Sequence, residues 1–126
     1  MKELVFEKKK QFGKRSNNAS IFVSLSEKNQ RARLTVYNKW SHTISKSGYV
    51  VIAVDGNRMY FKEASFRDGW FLTKTNYENA RCLCIKNDNI YKWIDDDGFG
   101  SYEFRYDDEL DLYYIEKMNF EKNCKE

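Results

Sequence analysis

Apolar positions along this chain fall in short runs between turn signals, and the clearest run is Gly48–Ala64, GYVVIAVDGNRMYFKEA. Val50, Ile52 and Val54 lie on one side of an extended segment and Tyr49, Val51 and Ala53 on the other. A strand that is apolar on both sides needs cover on both, so this one is predicted to be central. Asp55-Gly56-Asn57 is turn chemistry, and Met59–Phe61 is a second strand. Asp-Gly between such runs predicts a tight hairpin with a two-residue I′ turn, since Gly accepts a positive φ without steric cost.

The remaining runs are read the same way. Ile21–Leu25 places Ile21, Val23 and Leu25 on one face, and Glu27–Gln30 is a polar turn. Ala32, Leu34 and Val36 then alternate with Arg31, Arg33, Thr35 and Tyr37, which makes a strand with one wet, basic face. Asn38–Ser47 is predicted as a short helix, with Asn38 as cap, Trp40 and Ile44 one turn apart, and Gly48 just past its end. Gly69–Thr73 and Ala80–Ile85 are further strands. Asp88–Asp95 is helical, capped by Asn87 or Asp88 and stopped by Gly98, with Ile90, Trp93 and Ile94 on one face. Tyr102–Ile115 closes the chain as a hairpin around Asp107-Asp108-Glu109. A turn centred on Asp108-Glu109 sets Phe104 opposite Tyr113 and Tyr102 opposite Ile115, and a one-residue slip reverses the faces.

The fold class that follows is mainly β: antiparallel hairpins of about seven or eight strands in a single small sheet or barrel-like domain, with one or two short helices. The expected core is Ile21, Val23, Leu34, Val36, Val50, Ile52, Phe61, Leu72, Leu83, Ile90, Trp93 and Phe104. The 126 residues fit one domain, and a chain of that length buries a real core without disulfides or metal. Residues 1–19 read as a basic, loosely ordered arm and 117–126 as a frayed end. Leu4-Val5-Phe6 is too short an apolar run for a signal peptide, and no segment approaches the roughly 18 apolar residues of a membrane span. The odd cysteine count, three, fits a soluble protein of a reducing cytoplasm.

Charge is unevenly divided along the chain. Residues 1–86 carry 17 Lys and Arg against 7 Asp and Glu, and residues 87–126 carry 5 against 12. The net charge of +3 therefore conceals halves of +10 and −7. Either the halves neutralise each other across the fold or one of them meets a charged partner.

Read in order, these features resemble a diffuse group of small proteins encoded by phages and prophages of low-GC bacteria. The resemblance is carried by the basic start with Phe12-Gly13, the strand near Ile21–Leu25, and the helix near Asn38–Ser47. It continues through the hairpin of Gly48–Phe61, the strand near Arg81–Ile85, the Ile90–Ile94 helix and the acidic closing hairpin. It implies a mobile-element accessory protein in a bacterial host cell that binds DNA, host machinery or a defence complex, the last in the manner of an anti-CRISPR inhibitor. It carries over no catalytic residues.

Candidate chemistry is sparse. His42 is the only histidine and has no triad partners. Cys82 and Cys84 share a strand face, but with Cys124 and His42 they lack the two close pairs of a structural zinc site, and they read as small buried hydrophobes. Asp95-Asp96-Asp97-Gly98 fails as a calcium loop, because Gly98 at position 6 puts Trp93 at position 1 and Phe104 at position 12. Gly98-Phe99-Gly100 lacks a third glycine and a feeding strand. No catalysis, cofactor or metal is expected.

What remains is binding. Lys8, Lys9, Lys10, Lys14, Arg15, Arg31 and Arg33, followed by Lys39, Lys46, Arg58 and Lys62, are interleaved with Phe12, Tyr37, Trp40, Tyr49 and Tyr60. Cations suit phosphates, and exposed aromatics stack on bases. The expected partner is a nucleic acid or a nucleic-acid-binding protein complex, met by Lys8–Arg15, Arg31, Arg33, Tyr37 and Trp40. Alternatively Asp107, Asp108, Glu109 and Asp111 mimic phosphate toward a basic groove on a protein. A sequence-specific, dimeric DNA-binding regulator is the other function class.

Overall fold

The computed structural model describes residues 20–37, 39–76 and 79–117; the arm of residues 1–19, Asn38 and residues 118–126 lie outside the described residues. The chain runs β1 (Ile21–Ser26), β2 (Arg31–Tyr37), α1 (Trp40–Ile44), β3 (Tyr49–Asp55), β4 (Arg58–Glu63), β5 (Trp70–Phe71) and β6 (Thr73–Lys74). It continues through β7 (Ala80–Ile85), α2 (Asp88–Asp95), β8 (Gly100–Tyr102), β9 (Arg105–Asp107) and β10 (Leu112–Glu116). The fold is mainly β, and strands take up 49% of the described residues. Two antiparallel sheets form, sheet A in the order β6-β7-β2-β1-β8 and sheet B in the order β5-β3-β4-β10-β9.

Two bent segments join the sheets. Trp70–Lys74 pairs with β3 of sheet B through Trp70 and Phe71, then with β7 of sheet A through Thr73 and Lys74. Gly100–Asp107 pairs first with β1 and then with β10. Counting each bent segment as one strand gives eight, within the seven or eight expected. The hydrogen-bond ladder breaks at each bend, so no closed barrel forms. Leu72 sits at the first bend and is 1% exposed; Phe104 sits at the second and is 8% exposed. Each turns into the core, so the inside–outside alternation of the strands continues through the bend.

The core lies between the sheets. Ile21, Val23, Leu34, Val36, Val50, Phe61, Leu72, Leu83, Ile90, Trp93 and Phe104 are buried as expected, while Ile52 and Leu25 are half-buried against them. The helices stand at opposite ends of sheet A, because α1 follows the end of β2, α2 follows the end of β7, and those neighbours run antiparallel. On α2 the Asn87 side chain accepts from the amides of Asn89 and Ile90 at 3.0 and 3.1 Å, settling its cap. Its Trp93 indole donates to the Gly56 carbonyl at 2.9 Å, which ties the helix to the β3–β4 turn. No helix among the described residues is long and apolar enough to cross a membrane.

Several expectations are corrected. The β3–β4 loop is Gly56-Asn57 rather than Asp55-Gly56, since Asp55 pairs with Arg58. Gly56 alone is left-handed there, at φ +62°, the pattern of a II′ turn. Helix α1 ends at Ile44, and Gly48 is not its cap. Ser45 and Ser47 take over: Ser45 Oγ donates to the Tyr49 carbonyl at 2.7 Å and Ser47 Oγ to the Ala64 carbonyl at 2.6 Å. Such side-chain bonds compete with helix. Asp97, not Gly98, takes the left-handed position after α2. The end is not frayed at Lys117, which is buried and donates its amide to the Asn57 carbonyl.

The closing hairpin differs most. Tyr113 pairs with Tyr106, not Phe104, and Ile115 pairs with Met59, while Tyr102 belongs to sheet A opposite Ile21. The loop is two residues longer than expected because Asp107 Oδ1 accepts from the amides of Glu109 and Leu110, and Asp111 turns left-handed at φ +58°. A shift of two residues keeps the faces, so Phe104 still packs diagonally on Tyr113 at 6.4 Å.

If the bends depend on their buried wedges, Leu72→Ala lowers stability by about 2–5 kcal/mol and Phe104→Ala by about 3–5 kcal/mol. Leu110→Ser, in the exposed β9–β10 loop, stays within about 0.5 kcal/mol of wild type. Urea denaturation midpoints of the three variants check this.

Candidate functional site

The alternation of β2 places Ala32, Leu34 and Val36 in the core and Arg31, Arg33, Thr35 and Tyr37 on the outer face of sheet A. Strand β2 is the middle strand, so Arg33 stands near the centre of that face. Cys84 of β7 is directly opposite Arg33, and Cys82 lies between Thr35 of β2 and Thr73 of β6. Together these strands form a groove of about 560 Å³. Arg33 is one wall, Cys82 and Cys84 the floor, and Thr73, Lys74, Thr75 and Asn76 the other wall. Two strand spacings, about 10 Å, separate the walls.

The electrostatics are one-sided. Among the described residues no carboxylate lines the groove. Arg31, Arg33 and Lys74 are exposed, and none of them is ion-paired among the described residues. The threonines spend their hydroxyl protons on backbone, Thr73 on the Phe71 carbonyl and Thr75 on that of Ala80. The donors left for a ligand are therefore the Arg33 guanidinium, the Lys74 ammonium and the Asn76 amide. Groups of this kind on a fixed strand frame suit a chain of phosphates or another polyanion.

The Cys82 thiol is held in its neutral form. Burial, and then the neighbouring Cys84, push the Cys82 thiol up to about 11, against a smaller opposite pull from Arg33. It is a neutral thiol near pH 7, whereas thiolate is the reactive form. Both cysteines read as buried from sequence; Cys84 is exposed, because its face is the outer one.

The other expected site residues separate into groups. Tyr37 shares the outer face of sheet A with Arg31 and Arg33 and is half-buried. Trp40 is not a free stacking surface: its ring packs on Phe104 at 5.0 Å and Tyr113 at 5.6 Å, filling the core end beside α1. Lys8, Lys9, Lys10, Lys14 and Arg15 lie outside the described residues. The acidic turn belongs to sheet B. There Asp107 bonds the loop amides and pairs with Arg58 at 3.3 Å, and Asp111 accepts from the Tyr106 hydroxyl. That bond pushes the Tyr106 phenol up to about 12. Asp108 and Glu109 remain exposed.

Arg58 is withdrawn from the basic set. Its guanidinium meets Asp107, Glu116 at 3.6 Å, the Tyr60 hydroxyl at 3.2 Å and the Tyr114 ring at 4.2 Å. Part of the charge division between the two halves of the sequence is thus cancelled within sheet B. Sequence reasoning missed Lys74 and Asn76, because β6 is only two residues long and gives no periodic run. Alternation carried on past Thr73 would have turned Lys74 and Asn76 to the side of buried Leu72, so no periodic signal finds them.

The raised Cys82 pKa has a pH consequence. The unfolded thiol titrates near 9.0 and the folded one near 11, so the folded state holds the proton more tightly. Stability therefore falls as pH rises from about 9 to about 11, by an amount on the order of 2 kcal/mol. Urea midpoints across that range should fall less steeply for Cys82→Ala than for wild type.

No family model, no curated protein and no solved structure matches this chain.

Proposed function

We propose that this protein is a non-enzymatic binder of a polyanion, namely nucleic acid, free or held in a protein complex, and that it binds through the outer face of sheet A. One observation carries the reading. Arg33 and Lys74 line a groove that no described carboxylate lines, Arg31 shares the outer face of β2 with Arg33, and none of the three has an ion-pair partner among the described residues. Cations without a carboxylate partner are open to phosphates, and counterion release favours binding. The arm residues Lys8–Arg15 add further cations to the same chain. The resemblance to small phage-encoded proteins supports a setting in which the bound nucleic acid belongs to host or defence machinery.

The acidic turn is the weaker contact surface, since Asp107 and Asp111 are committed to holding the loop. Its polarity is tested with Asp108→Ser plus Glu109→Ser, which spares those contacts. A sequence-specific regulator would discriminate among duplexes of equal length, so scrambled duplexes in the same assay separate that class from a general binder.

Fluorescence anisotropy with labelled oligonucleotides over a salt series tests the proposal. Wild-type affinity falls linearly with salt on a log–log plot. Arg33→Gln with Lys74→Gln weakens binding to all sequences alike and lowers the slope by about 1 per residue, with the melting temperature unchanged. Wild-type affinity and slope in that variant would overturn the reading, and a basic protein partner lost only by the Asp108/Glu109 variant would move the contact to the acidic turn.

A further inference from the structure

The groove does not stop at the edge of sheet A. Leu72 points into the core at the first bend, so its neighbours Phe71 and Thr73 both point outward, one on each sheet. The outer faces of the two sheets therefore meet at this corner. Phe71 is 50% exposed and Phe66, in the preceding loop, is 69% exposed. Both rings rest on half-buried Tyr49, Phe71 at 5.1 Å between centroids and Phe66 at 6.4 Å. The loop beneath is fixed. Amides of Asp68 and Gly69 bond the Ser65 carbonyl at 3.2 and 2.9 Å. A Cβ on Gly69 would lie 2.9 Å from the Val50 amide nitrogen, so the close approach to β3 needs glycine. Two aromatic rings are thus held in solvent by local structure. Arg67 stands beside Phe66, 6.0 Å from its ring centre.

We propose that this corner is a stacking platform, and that the polyanion bound by the groove is a single-stranded nucleic acid whose bases lie on Phe71 and Phe66 while its backbone follows Arg33 and Lys74. The proposal rests on the polyanion reading of the groove and narrows it. Phe71 and Thr73 both face outward and lie two residue steps, about 7 Å of extended chain, apart, so the groove that Thr73 lines together with Lys74 and Arg33 adjoins the rings. Duplex bases are stacked on one another and present edges; single strands present the faces that aromatic rings bind without regard to sequence. Covering of the rings by a second copy is disfavoured, because a two-fold contact sets each patch against itself and brings Arg67 and Lys74 against their own copies.

Anisotropy with labelled oligothymidylate, a blunt duplex of equal length and heparin tests it on the full chain. Phe66→Ala with Phe71→Ala should weaken oligothymidylate binding by about tenfold or more per ring. Heparin and duplex binding and the salt slope should be unchanged, and Phe71→Tyr should retain stacking. Equal wild-type affinity for duplex and single strand, or an aromatic variant that binds oligothymidylate like wild type, overturns the platform. The polyanion reading stands in that case if Arg33→Gln with Lys74→Gln still loses binding. Wild-type protein that binds none of the probes overturns both. Sedimentation showing a wild-type dimer that the aromatic variant dissolves assigns the rings to self-association and also overturns the platform.

Discussion

Two bends hold this molecule together. At each, one chain segment serves as the edge of both sheets, and one buried side chain, Leu72 or Phe104, fixes the angle by turning inward. Sheets left open at their sides present unpaired strand edges. Sharing the edge segments narrows that exposure without a closed barrel and confines the core between two faces. Helices α1 and α2 then need to cover only the ends. Trp40 does so by packing on Phe104 and Tyr113, and Trp93 by bonding the Gly56 carbonyl.

The same constraint decides which charges are available. Sheet B gathers Arg58 with Asp107, Glu116, Tyr60 and Tyr114, so cations and carboxylates from distant parts of the sequence satisfy one another there. Sheet A has no such cage around Arg31 and Arg33, because the residues opposite them on β1 and β7 are Ser26, Ser24 and Cys84. The asymmetry between the faces is thus written in cross-strand pairing. Residue totals along the chain show only that charge is divided.

Local patterns were legible because they depend on neighbours in sequence. The alternation in β1 and β2 and the α2 face with its Asn87 cap follow from spacing, whereas the second apolar side of β3 is not covered as expected: Ala53 is exposed, and Tyr49 and Val51 are half-buried. Bends and registers depend on tertiary pairing and were not legible. Tyr102 and Tyr106 read as one continuous strand, yet they pair in different sheets. The Asp107 loop gains two residues through side-chain bonds that no run count registers. For the site, Arg31, Arg33 and Tyr37 were found from their period of two. Trp40 was misplaced because its ring has core partners far away in sequence. Lys74, Phe66 and Phe71 were overlooked as site residues because they sit in segments too short or irregular to show a period.

The proposed ligand contact centres on the outer face of sheet A and the corner at Leu72. Amide chemical-shift mapping of the isotope-labelled full chain during titration with oligothymidylate tests it most directly. Shifts are expected at Arg31, Arg33, Thr73, Lys74, Asn76, Cys84, Phe66 and Phe71, with the Asp107–Asp111 turn unmoved. Shifts centred on that turn, with sheet A silent, would contradict it.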